Sequence, residues 1–301
     1  MSPCIHVLGP LAVDHVVYVE KLPGADDKAF VNRRERRAGG TPLAFARSVA
    51  RWGADVRIHS LVGDDGDGDF ILTTLGNDGI ETSAIERFQG SATIANMVIL
   101  DGRGERAILI EPMDENQLLS IGKTLSPAQG DGVATNLFHP DAVSEALCSA
   151  RAAGAMTLVE LELPELKRFG MGPLQATLAN ADITCTNRQV LSDVVGVRGS
   201  FVEAADRFAD QFASAGDLCI TLGAAGAVIY GSEGLYRIDA PQVTPVDTTG
   251  AGDTFGAAFL YARLGGASLE QAGKCAVAAA SLFVAGKSTA WCDVDAMASA
   301  L

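Results

Sequence analysis

Short, mostly apolar runs at residues 5–8, 56–61, 133–137, 157–161, 183–185 and 218–222 read as buried strands of a parallel sheet. Between them lie stretches whose apolar residues recur at helical spacing, as at 43–52 and 142–153. Strands that alternate with helices predict a layered α/β sheet. Two segments break this rhythm, 16–37 and 93–110. The second reads as two strands of roughly alternating residues around Asp101-Gly102-Arg103-Gly104, a hairpin turn signal, and both segments suit one small β-rich lobe. After residue 217 the order becomes a strand, a Gly-rich meander over 223–238, a Gly/Thr loop and two Ala-rich helices. No internal repeat and no Pro- or Ser-rich linker divides the chain. The simplest organisation is one main domain over 1–301 with an inserted lid from about 15–38 and 92–111.

Composition narrows the partners. With 48% hydrophobic and 20% charged residues in 301, the chain can bury a large core, which argues against disorder. A formal net charge of -14 would be repelled by a nucleic-acid backbone or an anionic membrane, so a small-molecule partner is expected. The six cysteines, Cys4, Cys148, Cys185, Cys219, Cys275 and Cys292, form no CxxC pair and sit mostly in apolar runs. That pattern fits buried thiols in a reducing compartment better than a disulfide frame or a zinc site. No basic segment leads into a long apolar stretch at the N-terminus, and no apolar run approaches the roughly 18 residues of a membrane helix. A soluble, cytoplasmic protein is expected.

The most informative segment is Val246-Asp247-Thr248-Thr249-Gly250-Ala251-Gly252-Asp253-Thr254-Phe255, which runs directly into the apolar stretch 256–264. Two glycines around one alanine let the backbone approach a bulky group, and a helix starting there aims unpaired N–H groups and its positive dipole end at that group. A phosphate in transit would be stabilised there. Asp253, in the first helical turn, can accept a hydroxyl proton. The alternative is that Thr249 merely caps a helix and Asp253 merely complements its dipole.

The string Asp247 to Phe255 resembles the C-terminal signature of the PfkB-type carbohydrate kinases, the ribokinase-like family. Gly39-Gly40-Thr41-Pro42-Leu43-Ala44-Phe45-Ala46, with the later Gly63-Asp64-Asp65-Gly66-Asp67-Gly68, resembles its N-terminal signature. Leu8-Gly9-Pro10-Leu11-Ala12-Val13-Asp14 resembles a strand end whose aspartate accepts sugar hydroxyls. The matches are in family order and span nearly the whole chain. The resemblance implies a three-layer α/β/α domain with a central, mostly parallel sheet and a small β-sheet lid. It implies ATP-dependent phosphorylation of a hydroxyl on a sugar or sugar-like molecule, a ketose or pentose first. Asp253 would be the base, and the amides of Gly250, Ala251 and Gly252 the anion hole. Asp14, Gly39, Gly40 and Thr41 would hold the substrate, and Asn187, Thr221, Gly223 and Gly226 the nucleotide, with 276–281 near its base. ATP and Mg2+ would be the cofactors, and a homodimer joined through lid edges the assembly. Asp247 and Thr249 match positions that hold a monovalent cation such as K+.

Departures from the pattern change the expectations. Val190 stands where the family's N-x-x-E motif places a glutamate near the magnesium hydration shell, so metal binding would rest on phosphates, water and other carboxylates. Ketohexokinase-like members share that absence, and the segment 158–162 resembles a strand of that branch. Ala44 replaces a common sugar-contacting asparagine, and Gly286-Lys287-Ser288 does not reproduce the usual cation loop, which leaves potassium activation open. The run Arg33-Arg34-Glu35-Arg36-Arg37 reads either as a solvated lid strand, which is favoured, or as a site for an anionic substrate group. A P-loop at 281–288 is rejected because its first glycine is Ser281 and no strand can follow it. A dinucleotide fold is rejected because Gly9 stands alone after the first strand. The rival functions are a nucleoside kinase and a silent sugar or nucleoside sensor on the same fold.

Overall fold

The computed structural model describes residues 3–103, 105–196, 201–211, 216–246 and 248–287. Its strands are β1 (Cys4–Leu8), β2 (Leu11–Val19), β3 (Val31–Gly40), β4 (Asp55–Gly63), β5 (Ile85–Phe88), β6 (Ala95–Leu100), β7 (Arg106–Leu109), β8 (Gly132–Asn136), β9 (Met156–Glu160), β10 (Ile183–Asn187), β11 (Asp217–Thr221), β12 (Ala227–Gly231) and β13 (Gly234–Ile238). Its helices are α1 (Thr41–Arg51), α2 (Gly66–Asn77), α3 (Glu115–Ser120), α4 (Pro140–Ala152), α5 (Leu163–Phe169), α6 (Met171–Leu178), α7 (Arg188–Val195), α8 (Phe201–Gln211), α9 (Ala251–Leu264) and α10 (Leu269–Val284).

A nine-stranded sheet has the order β13-β12-β11-β10-β9-β8-β1-β4-β5. It is parallel from β5 to β11 and antiparallel only where β12 and β13 form the meander at one edge. Because strand side chains alternate between faces, each strand feeds two cores. Ile5, Val7, Leu158, Cys185 and Ile229 pack with α1, α9 and α10. Leu8, Val159, Leu218, Ile220 and Val228 pack with α4, α6, α7 and α8 on the other face. This is the three-layer α/β/α arrangement expected from the sequence. In open parallel sheets, ligands bind beyond the carboxyl ends of the strands, and Glu160, Asn187 and Thr221 end β9, β10 and β11 there.

A separate four-stranded sheet, in the order β3-β2-β6-β7, is built from the two segments that broke the α/β rhythm. It starts earlier than expected, at Leu11, because the chain leaves β1 through only Gly9 and Pro10. Asp14 therefore does not end a strand. It sits within β2, opposite Arg37 of β3 and Asn96 of β6. Among the described cysteines, Cys185, Cys219 and Cys275 are buried as expected, whereas Cys148 is exposed.

One buried polar pair carries a pH consequence. His6 of β1 and His59 of β4 face each other with Nδ1 and Nε2 2.9 Å apart, and Asp131 Oδ2 lies 3.5 Å from His6 Nε2. A neutral pair satisfies this chain when His6 Nε2–H points at Asp131 and His59 Nε2–H donates to His6, which leaves the buried His59 Nδ1 without a partner. Burial, reinforced by His6 and Arg57, pushes the His59 pKa down to about 4. Unfolded, the ring takes up a proton near pH 6.5, so its full contribution to stability is present above that value and is lost as pH falls toward 4. The loss attributable to this ring is roughly 3 kcal/mol. Urea unfolding at pH 7 and pH 4.5 should show this decline, and His59→Gln should flatten it. An equal acid loss in that variant would assign the effect elsewhere.

Candidate active site

The C-terminal signature lies where α9 begins, beyond β9 and β10. Gly250 is the N-cap of α9 with φ of 89°, a conformation that suits glycine, and no side chain caps the helix. Thr249 is therefore not the cap. Asp253 occupies the third helical position, in the first turn. Of the three amides expected to form an anion hole, that of Ala251 also reaches the Thr248 carbonyl at 3.3 Å. Gly250, Gly252 and Asp253 line a cavity of about 230 Å³ together with Glu160, Asn187 and Thr221. Burial pushes the Asp253 pKa up to about 6, against the opposing effects of hydrogen bonds from Glu160 and from its own backbone N–H.

Thr221 and Gly252 also line a second cavity of about 400 Å³, so the two adjoin. Gly223 and Gly226 form one of its walls, and Val277, Ala280 and Ser281 of α10 another. Ala276, Ala278 and Ala279 instead pack into the core, as ordinary helix contact predicts.

The N-terminal signature reaches the same region through helix packing. Ala44 Cβ lies 3.1 Å from where a Cβ on Gly250 would stand, and Ser48 and Thr254 hydroxyls are 3.1 Å apart, so α1 and α9 run in contact. Ala44 thus sits where α1 meets the N-cap glycine of α9. At the start of α1, Gly40 has φ of 106° and lies against the Pro10 carbonyl, while Gly39 lies against the Asp14 carboxylate. A side chain at either position would collide with those groups. Asn96 Nδ2 donates to Asp14 Oδ1 at 3.1 Å, and burial raises the Asp14 pKa against that bond and the nearby Arg37. Thr41 Oγ1 donates to Asn136 Oδ1 at 3.2 Å. Asp14, Gly39, Gly40 and Thr41, which the sequence offered as substrate ligands, thus lie together at the start of α1, the helix that packs on α9.

The profile of the pfkB family carbohydrate kinases matches residues 4–296. This chain belongs to the PfkB family. It is 27% identical over 292 residues to the ribokinase of Bacillus subtilis, covering 93% of this chain and 92% of that one. The fold of an Arabidopsis thaliana ribokinase, solved with ribose and ATP, superposes with a TM-score of 0.77 at 23% identity, covering 99% and 98% of the two chains. A Burkholderia thailandensis nucleoside kinase, solved with inosine, gives 0.80 at 19% identity and covers 99% and 97%.

Other positions of this PfkB kinase separate motif from structure. Asn187 caps α7, its Oδ1 accepting from the amides of Gln189 and Val190 at 3.0 Å, while its side chain still borders the 230 Å³ cavity. Val190 is wholly buried, so that turn offers no carboxylate. Asp247 and Ser288 lie outside the described residues. The arginine run is largely engaged by neighbours: Arg33 and Arg37 pair with Glu35, and Arg36 pairs with Asp67 at 2.8 Å. That favours the solvated-strand reading.

Two residues at the site were missed by the sequence reading. Arg106 of β7 reaches across from the small sheet and donates to Thr249 Oγ1 at 2.7 Å, beside the glycine loop. Glu160 meets Asp253 directly. Arg106 follows a turn in an ordinary strand, and nothing local in the sequence marks it. Glu160 lay in a segment noted for its resemblance alone.

Proposed function

We propose that this PfkB kinase transfers the γ-phosphoryl group of ATP to a hydroxyl of a sugar-like substrate, with Asp253 as the general base. The observation that carries this reading is Asp253 in the first turn of α9, partly buried, where a small acid-lined cavity adjoins a larger, mostly apolar one. Substrate hydroxyls donate to Asp14 over the Gly39-Gly40-Thr41 turn. The reacting hydroxyl gives its proton to Asp253 while the amides at 250–252 and the dipole of α9 stabilise the moving phosphoryl oxygens. The nucleotide occupies the 400 Å³ cavity, with Thr221, Gly223 and Gly226 at its turn. The small sheet acts as a lid that excludes water, since hydrolysis is the side reaction to be suppressed. The Arg106–Thr249 bond is its contact with the transfer loop.

Magnesium is implied by the family, and the donor set here does not fit direct chelation. Among the described residues no three His, Cys, Asp or Glu side chains converge to hold an ion, and Val190 supplies no ligand. Mg2+ would therefore be held by nucleotide phosphates and water rather than by a side-chain cage. The Thr249 hydroxyl is engaged by Arg106. Among the described residues no helix is long and apolar enough to cross a membrane, and the buried free thiols support a reducing, cytoplasmic setting.

The small sheet exposes Ile108 and Leu109 of β7, Ile110 just beyond it is exposed too, and Phe30 on the segment leading into β3 is 91% exposed. Such a surface on open strand edges supports a homodimer joined through the lids. Analytical ultracentrifugation at micromolar concentration should find a dimer, and a monomer would count against it.

The function is tested by ADP release with magnesium and ATP over ketoses, aldoses, sugar acids and nucleosides. Turnover with a ketose or pentose is expected. Turnover with nucleosides alone would favour the nucleoside-kinase reading, to which the inosine-bound neighbour lends support. ATP binding without turnover on any candidate would favour a sensor.

A further inference from the structure

Glu160, the last residue of β9, takes no part in the chemistry above, yet it touches the residue on which that chemistry depends. A Cβ on Gly252 would stand 2.9 Å from Glu160 Oε1, so the Glu160 carboxyl lies directly against the first turn of α9. It is hydrogen-bonded to the Asp253 carboxyl, and both side chains border the 230 Å³ cavity. Two ionised carboxylates have only acceptors to offer each other. A hydrogen bond between them requires one proton in the pair.

The surroundings decide which carboxyl holds it. Asp253 has a backbone N–H at its carboxylate and stands at the positive end of α9, both of which favour its anion. Glu160 has neither. Burial, then Asp253 from α9, Glu162 beyond the end of β9 and Cys185 from β10, all push the Glu160 pKa upward. The proton therefore belongs on Glu160.

We infer that Glu160 is a positioning residue for Asp253: its protonated carboxyl donates to the Asp253 carboxylate, aims the free carboxylate oxygen at the substrate hydroxyl, and keeps the pair at one negative charge. This rests on Asp253 being the base. The single charge matters because the phosphates of ATP arrive at the same helix end, and a doubly ionised pair would oppose them. During transfer the substrate O–H bond breaks toward Asp253 while its oxygen bonds to the γ-phosphorus. The bond from that phosphorus to the β-bridging oxygen breaks, and ADP carries off the electron pair. Glu160 keeps its own proton throughout, and Asp253 returns the acquired one to water before the next cycle.

Infrared spectroscopy of the intact, ligand-free protein at pH 7.5 tests this without reference to turnover. A protonated-carboxyl C=O band is expected that shifts in heavy water and shifts again in protein labelled with carboxyl-13C glutamate. Absence of the band, or a band insensitive to the glutamate label, would overturn the inference, and this readout needs no variant to fold. The pH profile of kcat adds a second readout. Native enzyme should lose turnover on the alkaline side as Glu160 ionises. Glu160→Gln, which donates the same hydrogen bond and cannot ionise, should keep its alkaline turnover, with kcat at pH 7.5 within about tenfold of native and KM little changed. An alkaline limb that persists in Glu160→Gln would also overturn it. Failure of the base assignment would be seen separately, as turnover retained in Asp253→Asn with the infrared band intact.

Discussion

Asp253→Asn should lower turnover by at least about 100-fold while substrate affinity stays within a few fold. Asparagine has nearly the shape of aspartate, can still sit in the first turn of α9, and can still accept a hydrogen bond from Glu160. It cannot take a proton from the substrate hydroxyl, which is the property the account requires. The native enzyme should show the same dependence in its pH profile. Burial lifts the Asp253 pKa to about 6, and a base works only when ionised. Below that pH, kcat/KM should fall about tenfold per unit. Steady-state kinetics of native and variant enzyme measure both effects. Native turnover in the variant would assign proton transfer to another group.

The second large effect is expected from Asp14→Ala, which should raise KM for the sugar about 10- to 100-fold with a smaller change in kcat. Asp14 sits in β2 between Arg37 and Asn96, its carboxylate held by Asn96 and closed over by the Gly39 backbone. Its removal leaves substrate hydroxyls without an acceptor in a site that excludes water, a cost of about 1–3 kcal/mol for each buried group left unpaired. Isothermal titration with the substrate identified by the ADP-release panel separates binding from turnover. Unchanged affinity would place the substrate elsewhere.

Much of this architecture is legible in the sequence because its signals are local. The apolar runs at β1, β4, β8, β9, β10 and β11 announce a parallel sheet, and the loss of α/β rhythm at 16–37 and 93–110 announces the small one. The missed elements are those where local signals are weak or contrary. Helix α2 contains Gly66, Gly68 and Gly76, poor helix formers, and starts because Asp65 accepts from the Gly68 amide at 2.8 Å. Helices α5 and α6 are seven and eight residues long, too short for a clear period. Strand β5 has four residues.

At the site, the glycine loop and Asp253 are readable because they form one contiguous string. Asp14, Gly39 and Gly40 were readable only in combination. The contacts of Arg106 with Thr249 and of Glu160 with Asp253 join residues 143 and 93 positions apart, and no local pattern encodes such a meeting. Ala44 is similar. It looked like a departure from sugar recognition, and its contact with Gly250 of α9 was not foreseeable from the sequence.

Transfer to a sugar hydroxyl is the central claim, and phosphorus NMR of a reaction mixture containing ATP, magnesium and the preferred sugar addresses it directly. The expected spectrum gains one phosphomonoester resonance for each ADP formed, with little inorganic phosphate. Growth of inorganic phosphate alone, or an unchanged ATP spectrum with every sugar tried, would contradict the account.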